Sequence, residues 1–75
     1  MMLTFLSKDG EDQVEHVHEC DEYCLTRNKD QMIFKTFDKT GMQKQAIVIN
    51  GETPRRIYVM NDSGQTTNRY YWKVK

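Results

Sequence analysis

Short runs of residues that favour β-strands alternate along the chain with turn signals. The runs, which are rich in isoleucine, valine, phenylalanine and tyrosine, are residues 3–6, 32–37, 46–49, 57–59 and 70–74. The turn signals, all of which end in glycine, are residues 9–10, 39–41, 50–51 and 61–64. Turns at such short intervals are typical of meanders and small barrels. The pattern predicts a mainly β fold: a small antiparallel sheet, a meander or a partly open barrel of about five to six short strands.

The pair Asn50-Gly51 is the strongest hairpin signal in the sequence. A type I′ turn needs positive φ at both central residues, and asparagine and glycine adopt that conformation most readily. Pro54 follows closely and has no backbone N–H to donate. We therefore expect the next strand to begin near Pro54 or to lie at a sheet edge.

Residues 11–27 fit two secondary structures. As a helix, the segment has a capping residue in Asp9 and acidic residues in its first turn. As a strand, it pairs back through Asp9-Gly10, which places Phe5 opposite Val14. We expect the hairpin for residues 12–20, and a single helix near residues 11–27 is the alternative, which would make the fold α+β.

Length and composition restrict the class of protein. A chain of 75 residues is long enough for one domain, which we assign to residues 1–75. No apolar run approaches the roughly 20 residues of a membrane span, so we expect no membrane partner. Two cysteines do not form the dense disulfide framework of small secreted proteins, and the first residues lack the features of a signal peptide. These observations predict a cytoplasmic protein with reduced cysteines.

Charge is balanced overall but unevenly distributed. The sequence has 11 basic and 11 acidic residues, a formal net charge of zero. Residues 1–30 have a net charge of −5 and residues 31–75 a net charge of +5. A neutral total argues against non-specific coating of DNA, whereas the acidic segment and the basic remainder each suggest a binding surface.

The acidic segment indicates a protein-binding surface. A row of carboxylates presents phosphate-like charge to a basic groove, so a small protein of this kind could inhibit a nucleic-acid-processing protein by occupying its channel. This non-enzymatic, protein-binding function is the one we favour from the sequence, and a homo-oligomer would also supply burial to so short a chain. The candidate residues are Glu11, Asp12, Glu15, Glu19, Asp21 and Glu22.

The basic C-terminal part predicts the alternative function, binding of single-stranded nucleic acid. In two of the expected strands, arginine, lysine and tyrosine alternate with apolar residues, and a suitable register would place them on one sheet face. Cations on phosphates and aromatic rings under bases are how proteins hold single strands. The candidate residues are Arg56, Tyr58, Arg69, Tyr71 and Lys73.

Histidines and cysteines are concentrated in one short segment. His16, His18, Cys20 and Cys24 have the side chains that zinc prefers. Structural zinc sites generally use two close pairs separated by a longer loop, and no second pair exists here, so we expect neither a metal nor another cofactor. The sequence also has no phosphate-binding glycine loop and no recognisable catalytic set, which predicts that the protein is not an enzyme. No motif identifies a family.

Overall fold

Seven β-strands make up the fold in the computed structural model, which describes residues 1–9 and 12–74. No helix occurs among these residues, and none that could cross a membrane is therefore found there. The strands are β1 (Met2–Asp9), β2 (Asp12–Glu19), β3 (Glu22–Arg27), β4 (Gln31–Phe37), β5 (Gln43–Asn50), β6 (Arg55–Met60) and β7 (Thr66–Trp72). The predicted mainly β class is confirmed, with seven strands instead of five or six, in two antiparallel sheets that do not close into a barrel.

The first compact unit contains the two ends of the chain, Met1–Glu19 and Glu52–Lys75. Its four-stranded sheet has the order β2-β1-β6-β7, and every neighbouring pair is antiparallel. Apolar residues on one face of this sheet are buried. The register of β1 and β6 pairs them with one another: Leu3 is opposite Val59 and Phe5 is opposite Ile57. Trp72, which is 3% exposed, belongs to the same face.

The second unit, Cys20–Gly51, is a continuous three-stranded meander with the order β3-β4-β5. Its central strand alternates as a half-buried strand should: Met32, Phe34 and Thr36 are buried, and the residues between them are more exposed. Ile49 on β5 is paired with Met32 and is also buried. The short meander therefore has a compact apolar face of its own.

One turn design occurs in both units. Asp38 Oδ1 accepts hydrogen bonds from the backbone N–H groups of Thr40 and Met42 at 2.8 and 3.0 Å, and from the Thr40 hydroxyl. Asn61 Oδ1 accepts in the same way from residues two and four positions further on, both at 3.0 Å. In each turn the fourth residue is a glycine with positive φ, 87° at Gly41 and 81° at Gly64. These hydrogen bonds lower the pKa of Asp38 below its usual range, that from the Thr40 hydroxyl most strongly.

The expected alternative of a helix near residues 11–27 is wrong. Most of the segment forms β2 and β3 instead, and the polar residues that follow β3 form a tight turn. There Asn28 Oδ1 accepts hydrogen bonds from the N–H groups of Asp30 and Gln31, at 2.8 and 2.9 Å. Such local side-chain hydrogen bonds favour turns over helices. Here they stabilise the turn that connects β3 to β4.

The predicted hairpin of β1 and β2 is confirmed, but its predicted register is wrong by two residues. Phe5 pairs with His16 rather than Val14, because the pairing runs to Asp9↔Asp12. A shift by two keeps every side chain on its expected face, whereas a shift by one would have inverted the strand.

Asn50-Gly51 does not connect two paired strands, contrary to its hairpin signal. Strand β5 pairs with β4, and β6 pairs with β1 and β7 in the other sheet. Gly51 has a φ of 83°, so the left-handed conformation is present, but it directs the chain out of β5. Pro54 immediately precedes β6, as expected for a residue that starts a strand.

Candidate nucleic-acid interface

Strands β6 and β7 bring four of the sequence-predicted nucleic-acid-binding residues onto one sheet face. Their register sets Arg56 opposite Tyr71 and Tyr58 opposite Arg69. Directly paired residues of antiparallel strands point to the same side, so all four lie on the face opposite the buried apolar residues. This is the register on which the sequence-based expectation depended. We call these four residues the arginine–tyrosine face.

The two residue types alternate in both directions across this face. Each arginine has a tyrosine directly across on the neighbouring strand, where Cβ atoms lie about 4.5–5.5 Å apart. Tyr58 and Tyr71 are diagonal neighbours, roughly 7–8 Å apart by the same geometry. The face therefore offers two aromatic rings flanked by two guanidinium groups within a small area.

The side chains of the arginine–tyrosine face are accessible to solvent. Both arginines are exposed, Tyr71 is 43% exposed, and Tyr58 is half-buried. Within the described residues neither arginine forms an ion pair; the pair recorded there joins the Met1 amino group to Asp62 at 3.1 Å. Exposed guanidinium groups without a carboxylate partner are suited to binding anions from solution.

Lys73 follows β7 in an unusual backbone conformation. Its φ of 54° is the only positive value at a non-glycine residue in the described part of the chain. This conformation follows the last residue of β7, and Lys73 and Val74 both line one pocket. The Lys73 Nζ lies 5.3 Å from the ring centre of Trp72, a cation–π contact with its chain neighbour.

An open pocket of about 890 Å³ adjoins the arginine–tyrosine face within the first unit. It lies where β1 ends and β6 begins, and Arg56 and Tyr58 belong both to the face and to the pocket wall. Lys8 and Lys73 supply two more cations, and Glu52 supplies a carboxylate. The remaining wall is largely apolar, formed in part by Leu6, Pro54 and Val74.

Two of the six predicted protein-binding acids, Glu15 and Glu19, lie on the same side of the four-stranded sheet as the arginine–tyrosine face. Glu15 pairs with Leu6, which in turn pairs with Arg56, so the three form one row across the sheet. Glu19 lies four residues further along β2, on the same side. Both are exposed, and Val17 between them is 51% exposed.

The other four acids are not placed with this pair. Glu11 lies outside the described residues. Asp12 occupies a β2 position of the opposite sheet face, because it is an odd number of residues from Glu15. Asp21 and Glu22 belong to the second unit. The sequence-predicted row of six carboxylates thus becomes a pair on an edge strand and three dispersed residues.

The topology removes most of the charge separation seen along the sequence. The first unit has six basic and seven acidic residues, and the second has five and four. Pairing β1 with both β2 and β6 puts the acidic strand and the basic strands into one sheet. The electrostatic feature of this sheet is therefore one face with an acidic edge at β2 and a basic edge at β6 and β7. It is not a division of the chain into an acidic and a basic half.

Of the histidines and cysteines, His18 and Cys20 contribute to packing, whereas His16 and Cys24 are exposed. The His18 ring stands edge-on to Phe5, with the ring centres 5.5 Å apart and the planes at 84°. Cys20 is buried and Cys24 exposed, and neither forms a disulfide; burial raises the pKa of the Cys20 thiol. Across residues 1–9 and 12–74, no group of three or more His, Cys, Asp or Glu side chains is placed to hold a metal ion.

Lys8 and the pocket were not identified from the sequence. Lys8 is two residues from Leu6 along β1 and therefore lies on the same sheet face, which was predictable. That β1 neighbours β6 is a long-range pairing with no local sequence signal. Comparisons of the chain with protein-family models, characterised proteins and solved structures found no match.

Proposed function

We propose that the protein is a non-enzymatic binder of single-stranded nucleic acid that uses the arginine–tyrosine face. The observation that carries the proposal is the β6–β7 register, which alternates two arginines and two tyrosines on one accessible surface. Arginines bind phosphates, and tyrosine rings stack under bases whatever the base identity. The expected binding is therefore tolerant of sequence and sensitive to salt.

The number of available cations limits the affinity. Arg56, Arg69, Lys8 and Lys73 lie on the face or in the adjoining pocket. If all four contact phosphates, the logarithm of the association constant falls with the logarithm of salt concentration at a slope of about −3, from −0.7 per phosphate on single strands. The acidic edge at Glu15 and Glu19 lowers the local potential and directs the strand towards β6 and β7.

Fluorescence anisotropy with a labelled oligothymidylate tests the proposal. Tyr71→Ala should weaken binding by about 1–3 kcal/mol, the usual contribution of one stacked base, whereas Tyr71→Phe should bind nearly as the parent does. Arg69→Gln should weaken binding and reduce the salt slope by about 0.7. The matched control is Lys39→Gln, which removes the same charge from a turn of the second unit.

Two results would contradict the proposal. One is an equal loss of affinity in Arg69→Gln and Lys39→Gln, which would indicate that net charge alone drives binding. The other is unaltered binding after Tyr71→Ala. Stacking of bases on an exposed tyrosine ring is the interaction that distinguishes this proposal from purely electrostatic binding. The variants are compared by circular dichroism to establish that all remain folded.

A protein partner on the acidic edge of the same face is the second candidate function. It is supported by Val17, an exposed apolar side chain between the exposed carboxylates of Glu15 and Glu19. Glu15→Gln with Glu19→Gln should then slow association with a partner captured from lysate after nuclease treatment, because exposed charges act mainly on the encounter rate. Capture that is unchanged by the double substitution, or lost after nuclease treatment, would rule this candidate out.

A further inference from the structure

The pocket beside the arginine–tyrosine face has the charge of a site for a doubly charged anion. Lys8, Arg56 and Lys73 contribute three positive charges and Glu52 one negative charge. A phosphodiester within a nucleic-acid strand carries a single negative charge, whereas a phosphomonoester carries about −1.5 to −2 at neutral pH. A net charge of about +2 therefore matches a terminal phosphate better than an internal one.

The pocket is also continuous with the proposed path of the strand. Arg56 and Tyr58 form part of its wall and part of the arginine–tyrosine face, so a strand lying on the face reaches the pocket without crossing another element. Its volume of about 890 Å³ falls in the range of small-molecule sites, and apolar Leu6 and Pro54 line it beside the cations. Such a wall suits the sugar and base of a terminal nucleotide.

Backbone strain at Lys73 is a second, independent observation that points to this pocket. A non-glycine residue with positive φ is uncommon, because its Cβ crowds the backbone in that conformation. In regular β structure Lys73 and Val74 would point to opposite faces, but here both line the pocket. Strained conformations of this kind are concentrated at ligand-binding sites, where they position a functional side chain.

We propose that this pocket binds the terminal phosphate of a single nucleic-acid strand, so that the protein recognises strand ends. The inference rests on the proposed function, since the bases next to the bound end would stack on the arginine–tyrosine face. Lys8 and Arg56 hold the phosphate, Lys73 joins them when its ammonium leaves the ring of Trp72, and Tyr58 lies at the junction between the phosphate and the first base. No bond is formed or broken.

Anisotropy titrations with oligothymidylates of one length test this inference. The strands carry a 5′ phosphate, a 3′ phosphate or hydroxyls at both ends, and a circular strand has no end. We expect one phosphorylated strand to bind about tenfold more tightly than the hydroxyl-ended strand, the effect of one charge-assisted interaction of roughly 1.5 kcal/mol. The two phosphorylated strands establish which end is recognised.

Variants assign the preference to the pocket. Lys8→Gln and Lys73→Gln should each abolish most of the tenfold preference, because each should weaken binding of the phosphorylated strand several-fold more than binding of the hydroxyl-ended strand. Lys8 lies in a regular strand, so its variant is free of the backbone strain at Lys73. Lys39→Gln, from the other unit, should keep the preference in full.

A separate measurement distinguishes failure of this inference from failure of the proposed function. Thymidine monophosphate and thymidine are titrated in turn while backbone amide signals are followed by NMR. Equal affinity for all linear and circular strands overturns the pocket inference and leaves strand binding intact. Shifts confined to pocket residues with the monophosphate, but no binding of any oligonucleotide, overturn the proposed function and support the pocket. Absence of both overturns the two together.

Discussion

Trp72 and Tyr71 are neighbours on β7, and their truncation to alanine should have very different effects on the stability of the protein. Trp72 lies on the buried face and is 3% exposed, whereas Tyr71 lies on the arginine–tyrosine face and is 43% exposed. The prediction is that Trp72→Ala unfolds or severely destabilises the protein, and that Tyr71→Ala leaves its stability largely unchanged. The pair tests the assignment of the two sheet faces directly.

The magnitude follows from the area that each side chain buries. A buried tryptophan removes about 150–250 Å² from water, which corresponds to about 4–6 kcal/mol at 25 cal/mol per Å². Measured truncations of large aromatic residues cost about 3–5 kcal/mol. A protein of 75 residues has a total stability of roughly 4–11 kcal/mol, so Trp72→Ala removes a large part of it. For Tyr71→Ala we expect about 1 kcal/mol or less, the usual range for a surface position.

Urea unfolding followed by far-UV circular dichroism measures both effects. With a slope of about 1 kcal/mol per molar urea for a small protein, Trp72→Ala should lower the midpoint by roughly 3–5 M or be unfolded without denaturant. Trp72→Phe, which retains an aromatic ring, should lie between this variant and the parent. Equal destabilisation by Trp72→Ala and Tyr71→Ala would refute the assignment of faces, as would a Trp72→Ala variant that melts like the parent.

Three further predictions concern turns and thiols. Gly64→Ala should cost about 1–2 kcal/mol in urea unfolding, because its φ of 81° strains any residue with a Cβ, whereas Gly64→Asn should cost less; equal costs would contradict this reading. The lowered pKa of Asp38 means that its turn stabilises the fold above the ordinary carboxyl pKa of 3.8 and loses that contribution as pH falls through the folded value. Asp38→Asn should therefore make thermal stability less dependent on pH as pH falls below 3.8, and an unchanged dependence would show that this carboxylate does not stabilise the turn. Iodoacetamide should label Cys24 well before Cys20, which is buried and has a raised pKa; mass spectrometry showing equal rates would argue against burial of Cys20.

Local chemistry made several features of the fold predictable. Runs of β-favouring residues between turn signals identified the segments that became β1 and β4 to β7, because β-branched and aromatic side chains pack well on a pleated sheet. The glycine-containing turns at residues 39–41 and 61–64 were correct, since positive φ at Gly41 and Gly64 is a property of the residue itself. Strand β3 was missed because its few apolar residues fit a helix as well as a strand.

The sequence by itself determined which side of each strand Arg56, Tyr58, Arg69 and Tyr71 occupy, and which residues form the turns. Only the tertiary structure decided that β1 pairs with β6, that the acidic strand β2 joins the same sheet, and that Asn50-Gly51 leads from one unit to the other instead of closing a hairpin. The physical reason is the range of the interactions. Backbone conformation and side-chain alternation depend on neighbouring residues, whereas strand order depends on closing loops of many residues in exchange for buried apolar pairs such as Leu3 with Val59. The pocket at Lys8 and Lys73 joins residues from opposite ends of the chain. It therefore depends entirely on the long-range pairing of strands.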